Sequence, residues 1–397
     1  MNYFTNYKKW LNQFDETDKS IAELLVKQLT YVPKKNFDYT MRTLFDETIN
    51  KNETTAFFVV RESPYNKKTK SYTKPFWTKP NENPIKVNNL HGTGSEGSLW
   101  NLLRDLINNN PYFLDNPSIE KMRKKKCKHI VLLNDFAGSG NQTELFVHWL
   151  YDNKTIKSWV SLKYIDITVL HYATTDIADK LFTNDKIIAK HFCAKPIKIA
   201  TPELSDKQIE KIRNLCEKYG TKIQMDRDWF YGYDDCFLFL FFETSAPNNL
   251  PGIIWYSNDN WIPLIPKKRP DFIQDINFFS KSIKNIINRP TLFIKKGKKI
   301  NYHEYSDSHK LQMLILQKLQ LSKFNEKKFA YFFNQDIFAI RKCMSSLQKN
   351  GFIDESLKIT KNGKKILHYF IKKMHPIKKI ENNDEIYYPK SLRAPVE

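Results

Sequence analysis

The chain has 397 residues, 64 Lys/Arg against 43 Asp/Glu for a formal charge of +21, and an apolar share of 41% that includes 28 Phe and 20 Tyr. This length and apolar content exclude one ordinary core and disorder over most of the chain, and predict two or more packed units. The five cysteines, Cys127, Cys193, Cys216, Cys236 and Cys343, are scattered without metal spacing, which predicts a reduced, cytoplasmic chain without structural zinc. Met1 to Asp15 shows no secretory pattern, and the strongest apolar stretch, Cys236 to Phe242, is too short for a bilayer, so no signal peptide or membrane span is expected.

The elements then follow in chain order. Residues 1–52 read as a mostly helical cap, with Ile21, Leu24, Leu25, Gln28 and Leu29 giving a largely apolar stripe at helical spacing. Ala56 to Val60 is strand-like, and a polar, Pro-interrupted loop runs to Asn89. His91-Gly92-Thr93-Gly94-Ser95-Glu96-Gly97-Ser98 precedes a helix carrying Leu99, Leu102, Leu103 and Leu106, with Ser98 as its cap. Ile130-Val131-Leu132-Leu133 is the continuous apolar run of a strand buried on both faces, and it empties into Asn134-Asp135-Phe136-Ala137-Gly138-Ser139-Gly140. A helix with core contacts Leu145, Val147, Trp149 and Leu150 comes next. Then follow a strand from Ile165 to Tyr172, a helix over 175–183, a strand near 197–199 and a helix from Ser205 to Tyr219 ended by Gly220. This alternation predicts a parallel α/β sheet with helices on both faces over residues 53–266. A Pro/Asn-rich connection, 244–251, follows Cys236–Phe242, and Pro266 and Pro270 flank Lys267-Lys268-Arg269, where a boundary is expected.

Residues 267–397 hold 28 Lys/Arg against 12 Asp/Glu, whereas residues 1–266 hold 36 against 31. A general preference for lysine would spread the excess evenly, so its concentration near the C-terminus points to a polyanionic partner. After a basic linker, 267–305, residues 306–375 fit an α+β winged helix-turn-helix, with a tail at 376–397. Leu311, Leu314, Ile315 and Leu319 form one helix face. A second helix runs from about Glu326 to Phe333, with Phe329 and Phe332 inward. Asn334 caps a third helix over 335–349, with Ile337, Ile340, Met344 and Leu347 toward the core. Its other face presents Arg341, Lys342, Ser345, Ser346, Gln348 and Lys349, side chains suited to phosphates and base edges. Gly351-Phe352-Ile353 and Leu357-Lys358-Ile359 form the expected wing, and Thr360 caps a terminal helix beginning near Lys361. Arg341, Lys342, Ser345, Lys349, Lys358 and Lys361 are therefore the candidate DNA contacts. Docking of a protein remains the competing use of the same module.

The turn after the apolar strand carries the chemistry. Gly138 and Gly140 admit an anion to the main chain, and the following helix aims its N–H groups and positive end at the same point. Asp135, at the strand's carboxyl end, stands where open α/β sheets bind ligands, and its carboxylate suits ribose hydroxyls or Mg²⁺; a helix cap at the strand end is its structural alternative. Lysine is absent after Gly140, so a nucleotide-triphosphate Walker loop is excluded. The glycines at 92, 94 and 97 satisfy GxGxxG, yet Pro84 to Asn89 is not a convincing strand, and a dinucleotide site is not supported.

Val131-Leu132-Leu133-Asn134-Asp135-Phe136-Ala137-Gly138-Ser139-Gly140 resembles the phosphoribosyl-pyrophosphate motif of type I phosphoribosyltransferases. The resemblance implies that Asp135 contacts the ribose hydroxyls and a Mg²⁺ ion, and that Ala137, Gly138, Ser139, Gly140 and Asn141 wrap the 5′-phosphate. Asn134 stands where the motif has an acid, and both Asn134 and Asp135 are carried as catalytic candidates. In such a domain Thr93, Gly94 and Ser95 become the pyrophosphate-side loop; a glycine loop that merely starts a helix is the alternative. Arg61, Arg104 and Arg227 are further candidates for the leaving pyrophosphate. With Gly232-Tyr233-Asp234-Asp235, Pro247 to Pro251, Trp255, Trp261 and Pro263, residues 53–266 are similar to the phosphoribosyltransferase-like effectors of bacterial conflict systems that sit beside retrons. That similarity implies an antiphage effector, with DNA, including the DNA product of a reverse transcriptase, and a defence-system protein as partners. A non-catalytic, ligand-sensing regulator of transcription is the second expectation.

Overall fold

The computed structural model describes residues 3–61, 65–66, 71–72, 75–77, 79–84, 95–197, 204–243, 245–266 and 306–373. The chain divides into two compact units, one made of Met1–Ile286 with Phe324–Lys342 and the other of Ile287–Lys323 with Cys343–Glu397.

In the first unit the order begins with α1 (Tyr3–Leu11), α2 (Glu16–Gln28), β1 (Thr30–Val32), α3 (Lys34–Thr48) and β2 (Thr55–Val59). The small antiparallel pair β3 (Tyr65–Asn66) and β4 (Ser71–Tyr72) follows, then α4 (Ser95–Ile107), β5 (Phe113–Asp115), α5 (Ile119–Lys124) and β6 (His129–Ala137). Next come α6 (Asn141–Tyr151), α7 (Lys154–Ser161), β7 (Asp166–Thr175), α8 (Asp176–Asn184), β8 (Lys190–Ile197), α9 (Asp206–Lys222), β9 (Leu240–Phe242) and α10 (Gly252–Trp255). The main sheet has the order β5-β2-β6-β7-β8, and every neighbouring pair is parallel.

The two faces of this sheet follow from a period of two along each strand. Ala56, Phe58, Ile130, Leu132, Ile167 and Val169 point to a core completed by Phe146, Val147 and Leu150 of α6 and by Phe182 of α8. Phe57, Val59, Val131, Leu133, Leu170 and Tyr172 point the other way, onto Phe37, Met41, Leu44 and Phe45 of α3 and Leu99, Leu102 and Leu103 of α4. Burial on both faces is why β6 reads as an unbroken apolar run rather than an alternation.

Residues 1–52 do more than cover the sheet. The α2 stripe packs with Ile212, Leu215 and Tyr219 of α9 in a third core that also holds Trp10, Ile253 and Trp261. Trp10 Nε1 donates to the Ile253 carbonyl at 2.9 Å. β1, which the helical reading of 1–52 did not anticipate, pairs in parallel with β9, Thr30 opposite Leu240.

Several local expectations are corrected by packing. Leu145 is exposed on α6, and Phe146 takes the core position in its place. Gly220 lies inside α9, which continues to Lys222, because the Phe230 ring occupies the space a side chain there would need. Helix α4 starts at Ser95, so Ser98 sits in its first turn and is not its cap. The last sheet strand runs from Lys190 to Ile197, upstream of the expected 197–199, of which 198 and 199 lie outside the described residues.

The C-terminal part carries α11 (Asp307–Leu321), α12 (Glu326–Phe333), α13 (Ile337–Lys349) and α14 (Lys361–Lys373), the helices of a winged helix-turn-helix. α12 and the first residues of α13 belong to the first unit by their packing. Asn334 adopts the left-handed conformation that ends α12, at φ 50°, and the start of α13 is held instead by Asp336, whose carboxylate accepts the Ala339 N–H at 2.7 Å. Phe329 is buried, but Phe332 is 38% exposed. In the second unit Leu311, Leu314 and Ile315 of α11 and Leu367 and Phe370 of α14 are buried, and α11 packs on α14. Ile353 and Ile359 bridge as an antiparallel pair, the core of the wing, and Thr360 Oγ1 accepts the Gly363 N–H to cap α14.

Candidate functional site

Parallel strands bring their carboxyl ends to one edge of the sheet, and there β6 delivers Asp135. Asp135 is one of the residues lining a small, largely apolar recess shared with Val32, Lys34, Phe37, Ser98, Phe242 and Glu243. Asp135 Oδ1 accepts the Phe136 N–H at 2.8 Å, which fixes the carboxylate relative to the strand. Glu243, directly after β9, accepts the Lys34 N–H at 2.7 Å and so complements the start of α3. Lys34 Nζ is ion-paired with Asp38 at 2.5 Å. Ser98, Asp135, Glu243 and Lys34 are the polar residues bordering this mostly apolar recess. Oxygen ligands are what a hard cation such as Mg²⁺ takes, and Asp135, Glu243 and Ser98 are the residues bordering the recess that carry them.

Ala137, Gly138, Ser139, Gly140 and Asn141 do not line this recess. Ala137, Gly138 and Gly140 are buried, Ser139 is half-buried and Asn141 is exposed at the start of α6. Gly140 has φ +91° and packs against Leu181 and Phe182 of α8, while a Cβ on Gly138 would stand 2.4 Å from Asn249 Nδ2. Gly140 is therefore demanded by its left-handed backbone, while Gly138 sits close against the Asn249 side chain. Thr175 donates its hydroxyl to the Gly138 carbonyl, tying the turn to the end of β7. On the solvent side Asn141 Nδ2 donates to Asp234 Oδ2 at 2.7 Å, so a carboxylate stands beside the positive end of α6. Asp234, Asp235 and Phe237 all have positive φ, at 52°, 57° and 46°. Burial pushes the Cys236 thiol in this segment up to about 11, which leaves it protonated and poorly nucleophilic.

Asn134, paired with Asp135 in the motif, goes the other way. It is 3% exposed, its Oδ1 accepts the Asp135 N–H at 2.9 Å, and its Nδ2 donates to Thr143 Oγ1 at 3.0 Å. Thr143 Oγ1 in turn lies 3.1 Å from His171 Nε2, and His171 Nδ1 lies 3.1 Å from His191 Nε2. Burial holds both imidazoles below their ordinary pKa, His171 well below, so both are neutral near pH 7. His191 Nδ1 lies 3.2 Å from Asp179 Oδ1 without meeting hydrogen-bond geometry. Asp179 also binds Lys327 of α12 at 3.0 Å. His191 beside it, reinforced by Lys327, lowers the Asp179 carboxyl to about 2.

Thr93 and Gly94 lie outside the described residues, and Ser95 is the first residue of α4. Arg61 donates to the Pro75 carbonyl at 3.0 Å, Arg104 and Arg227 are exposed, and none of the three lines the recess. In the C-terminal region Lys342, Ser345, Lys349, Lys358 and Lys361 are exposed. Arg341 is engaged by Glu326 and by Glu47 of α3, which raise its pKa further. The sequence reading missed Glu243 and the His171–His191–Asp179 chain. Their signals were an acid directly after an apolar run and a histidine inside one, since a buried polar group needs a partner.

Among the described residues a further donor group, Glu144, His148 and Asp185, brings its ligand atoms within 4.8 Å of one another, but its mixed nitrogen and oxygen set is away from the recess. No helix among the described residues is long and apolar enough to cross a membrane.

A family model described as PRTase-CE matches residues 7–267, and a second, described as wHTH-PRTase associated, matches residues 313–394. No curated protein and no solved structure matches the chain.

Proposed function

The chain belongs to the PRTase-CE family and joins its phosphoribosyltransferase-like domain to an associated winged helix-turn-helix; on that premise we propose that it is a cytoplasmic antiphage-type effector. Its α/β domain binds a phosphoribosyl or nucleotide ligand with Mg²⁺, and DNA on the winged helix controls it. The observation that carries this reading is the position of Asp135, at the carboxyl end of a central parallel strand, in a recess shared with Ser98 and Glu243.

In this reading Asp135 accepts hydrogen bonds from the ribose hydroxyls and, with Glu243, holds the cation. Bound Mg²⁺ supplies charge neutralisation for a departing pyrophosphate. The apolar wall of Val32, Phe37 and Phe242 excludes water from the anomeric carbon, where the bond to the leaving group breaks as an acceptor's nucleophile attaches. The 5′-phosphate is received at the 137–141 turn on the side where Ser139 and Asn141 reach solvent at the α6 N-terminus, once the Asp234 carboxylate is displaced from Asn141. The proposed DNA contacts are Arg341, Lys342, Ser345, Lys349, Lys358 and Lys361. DNA must win Arg341 from Glu47 and Glu326, which ties occupancy of that helix to the α/β domain.

A second reading, a ligand-sensing regulator without turnover, is favoured by one feature: Asn134 is buried, so the motif presents a single acid to the recess. Incubation with phosphoribosyl pyrophosphate, nucleotides and dinucleotide cofactors, followed by mass spectrometry, separates the two. A product bearing the phosphoribosyl group supports the effector enzyme; saturable binding with no product selects the sensor.

A further inference from the structure

Asp179 is the fixed point of the buried chain. An ionised carboxylate only accepts hydrogen bonds, and Asp179 is kept ionised between His191 and the Lys327 ammonium. His191 Nδ1 stands 3.2 Å from this carboxylate outside hydrogen-bond geometry, and since a bare lone pair there would face negative charge, the proximity favours the Nδ1–H tautomer and leaves Nε2 as an acceptor. His171 Nδ1, 3.1 Å away, must then carry its own proton, so His171 Nε2 accepts in turn. Among the described residues the donor facing that nitrogen is the Thr143 hydroxyl at 3.1 Å. With its proton committed to His171, Thr143 Oγ1 needs a donor from its other neighbour, and the Asn134 amide supplies one at 3.0 Å. Each step follows from the one before, and the direction of the whole chain is set at one end.

We propose that Asn134 is a positioning residue: the one-way chain from Asp179 through His191, His171 and Thr143 requires an amide at this position and thereby holds the peptide that presents Asp135 to the recess. An amide is the side chain that fits both of its contacts, since Oδ1 accepts the Asp135 N–H while Nδ2 donates to Thr143. A carboxylate at 134 would set an acceptor against the Thr143 oxygen and reverse the demand along the line, ending with a bare His191 nitrogen against Asp179. The departure from an acidic pair is thus matched by the buried histidines and is not a decayed ligand contact. What Asp135 is positioned for rests on the sugar-phosphate reading; the direction of the chain does not.

Reversal of the chain gives the test. Asn134→Asp is expected to lower the thermal midpoint by several degrees. Asp179→Asn supplies an N–H to His191, so the double variant N134D/D179N is expected to recover most of that loss with the chain running backwards. Imidazole ¹⁵N spectra of the full chain near pH 7 then read the direction: His171 and His191 both Nδ1–H in the wild type and both Nε2–H in the double variant. Wild-type His171 or His191 found as Nε2–H overturns the proposal even if no variant folds, as does a folded double variant with unchanged tautomers. If the tautomers are as stated but phosphoribosyl pyrophosphate does not bind the wild type, the ligand reading falls and the chain stands.

Discussion

The sheet unit and the C-terminal winged helix carry their information in opposite forms. At the end of β6 two adjacent residues have opposite fates: Asn134 is sealed into a neutral, hydrogen-bonded interior, and Asp135 faces a recess. There, position on a rigid scaffold and the partner of each polar atom define function. The region beyond Lys267 instead holds most of the excess charge, with cations such as Lys342 and Lys349 exposed on one helix. Net charge predicts a partner for the second region, but it says nothing about the first, where single partners decide.

Substitution at the turn should break the sheet side most severely. Gly140→Val places a β-branched residue at φ +91° and drives it into Leu181 and Phe182. Left-handed strain of about 1–2 kcal/mol, together with overpacking of about 1–3 kcal/mol, should lower the unfolding midpoint by many degrees in calorimetry. A neutral effect would show that the turn is looser than its contacts imply.

The charged side should respond more mildly and in a different currency. Changing Lys342 and Lys349 together to Gln should reduce the slope of log K against log salt for duplex DNA by about 2, because each lost phosphate contact removes roughly one released counterion. Binding lost without a change in slope would point to a protein partner instead. Smallest of all, Glu47→Gln removes one of the two carboxylates that hold Arg341 and should tighten DNA binding by a few-fold, consistent with an exposed ion pair worth about 0.2–1 kcal/mol. Unchanged affinity would separate Arg341 from DNA recognition.

Much of the scaffold was legible because burial on both faces writes itself into sequence. Ile130 to Leu133 could be read as a central parallel strand, and the glycine turn and helix after it followed. The three-residue strand β1 was not legible: Thr30-Tyr31-Val32 is too short to show a period, and its partner Leu240 lies more than two hundred positions away. Asp135 was legible as a strand-end acid. Glu243 joins it only through the pairing of β9 with β1, which sequence spacing does not report. The loop glycines were legible from the turn pattern, whereas the neighbours packed around them, Asn249, Leu181 and Phe182, come from distant parts of the chain that spacing does not report. In sequence Asn334 reads as the start of a helix because Asn favours caps and left-handed turns alike, and only the backbone distinguishes the two.

The account stands most directly on a calorimetric titration of phosphoribosyl pyrophosphate, in Mg²⁺ buffer, into the wild type and Asp135→Ala. Saturable binding that the variant weakens by roughly 10²-fold, equivalent to about 2–3 kcal/mol for a charge-assisted contact, is the predicted result. Equal affinity of the two proteins would contradict the assignment of the recess around Asp135 as the sugar-phosphate site.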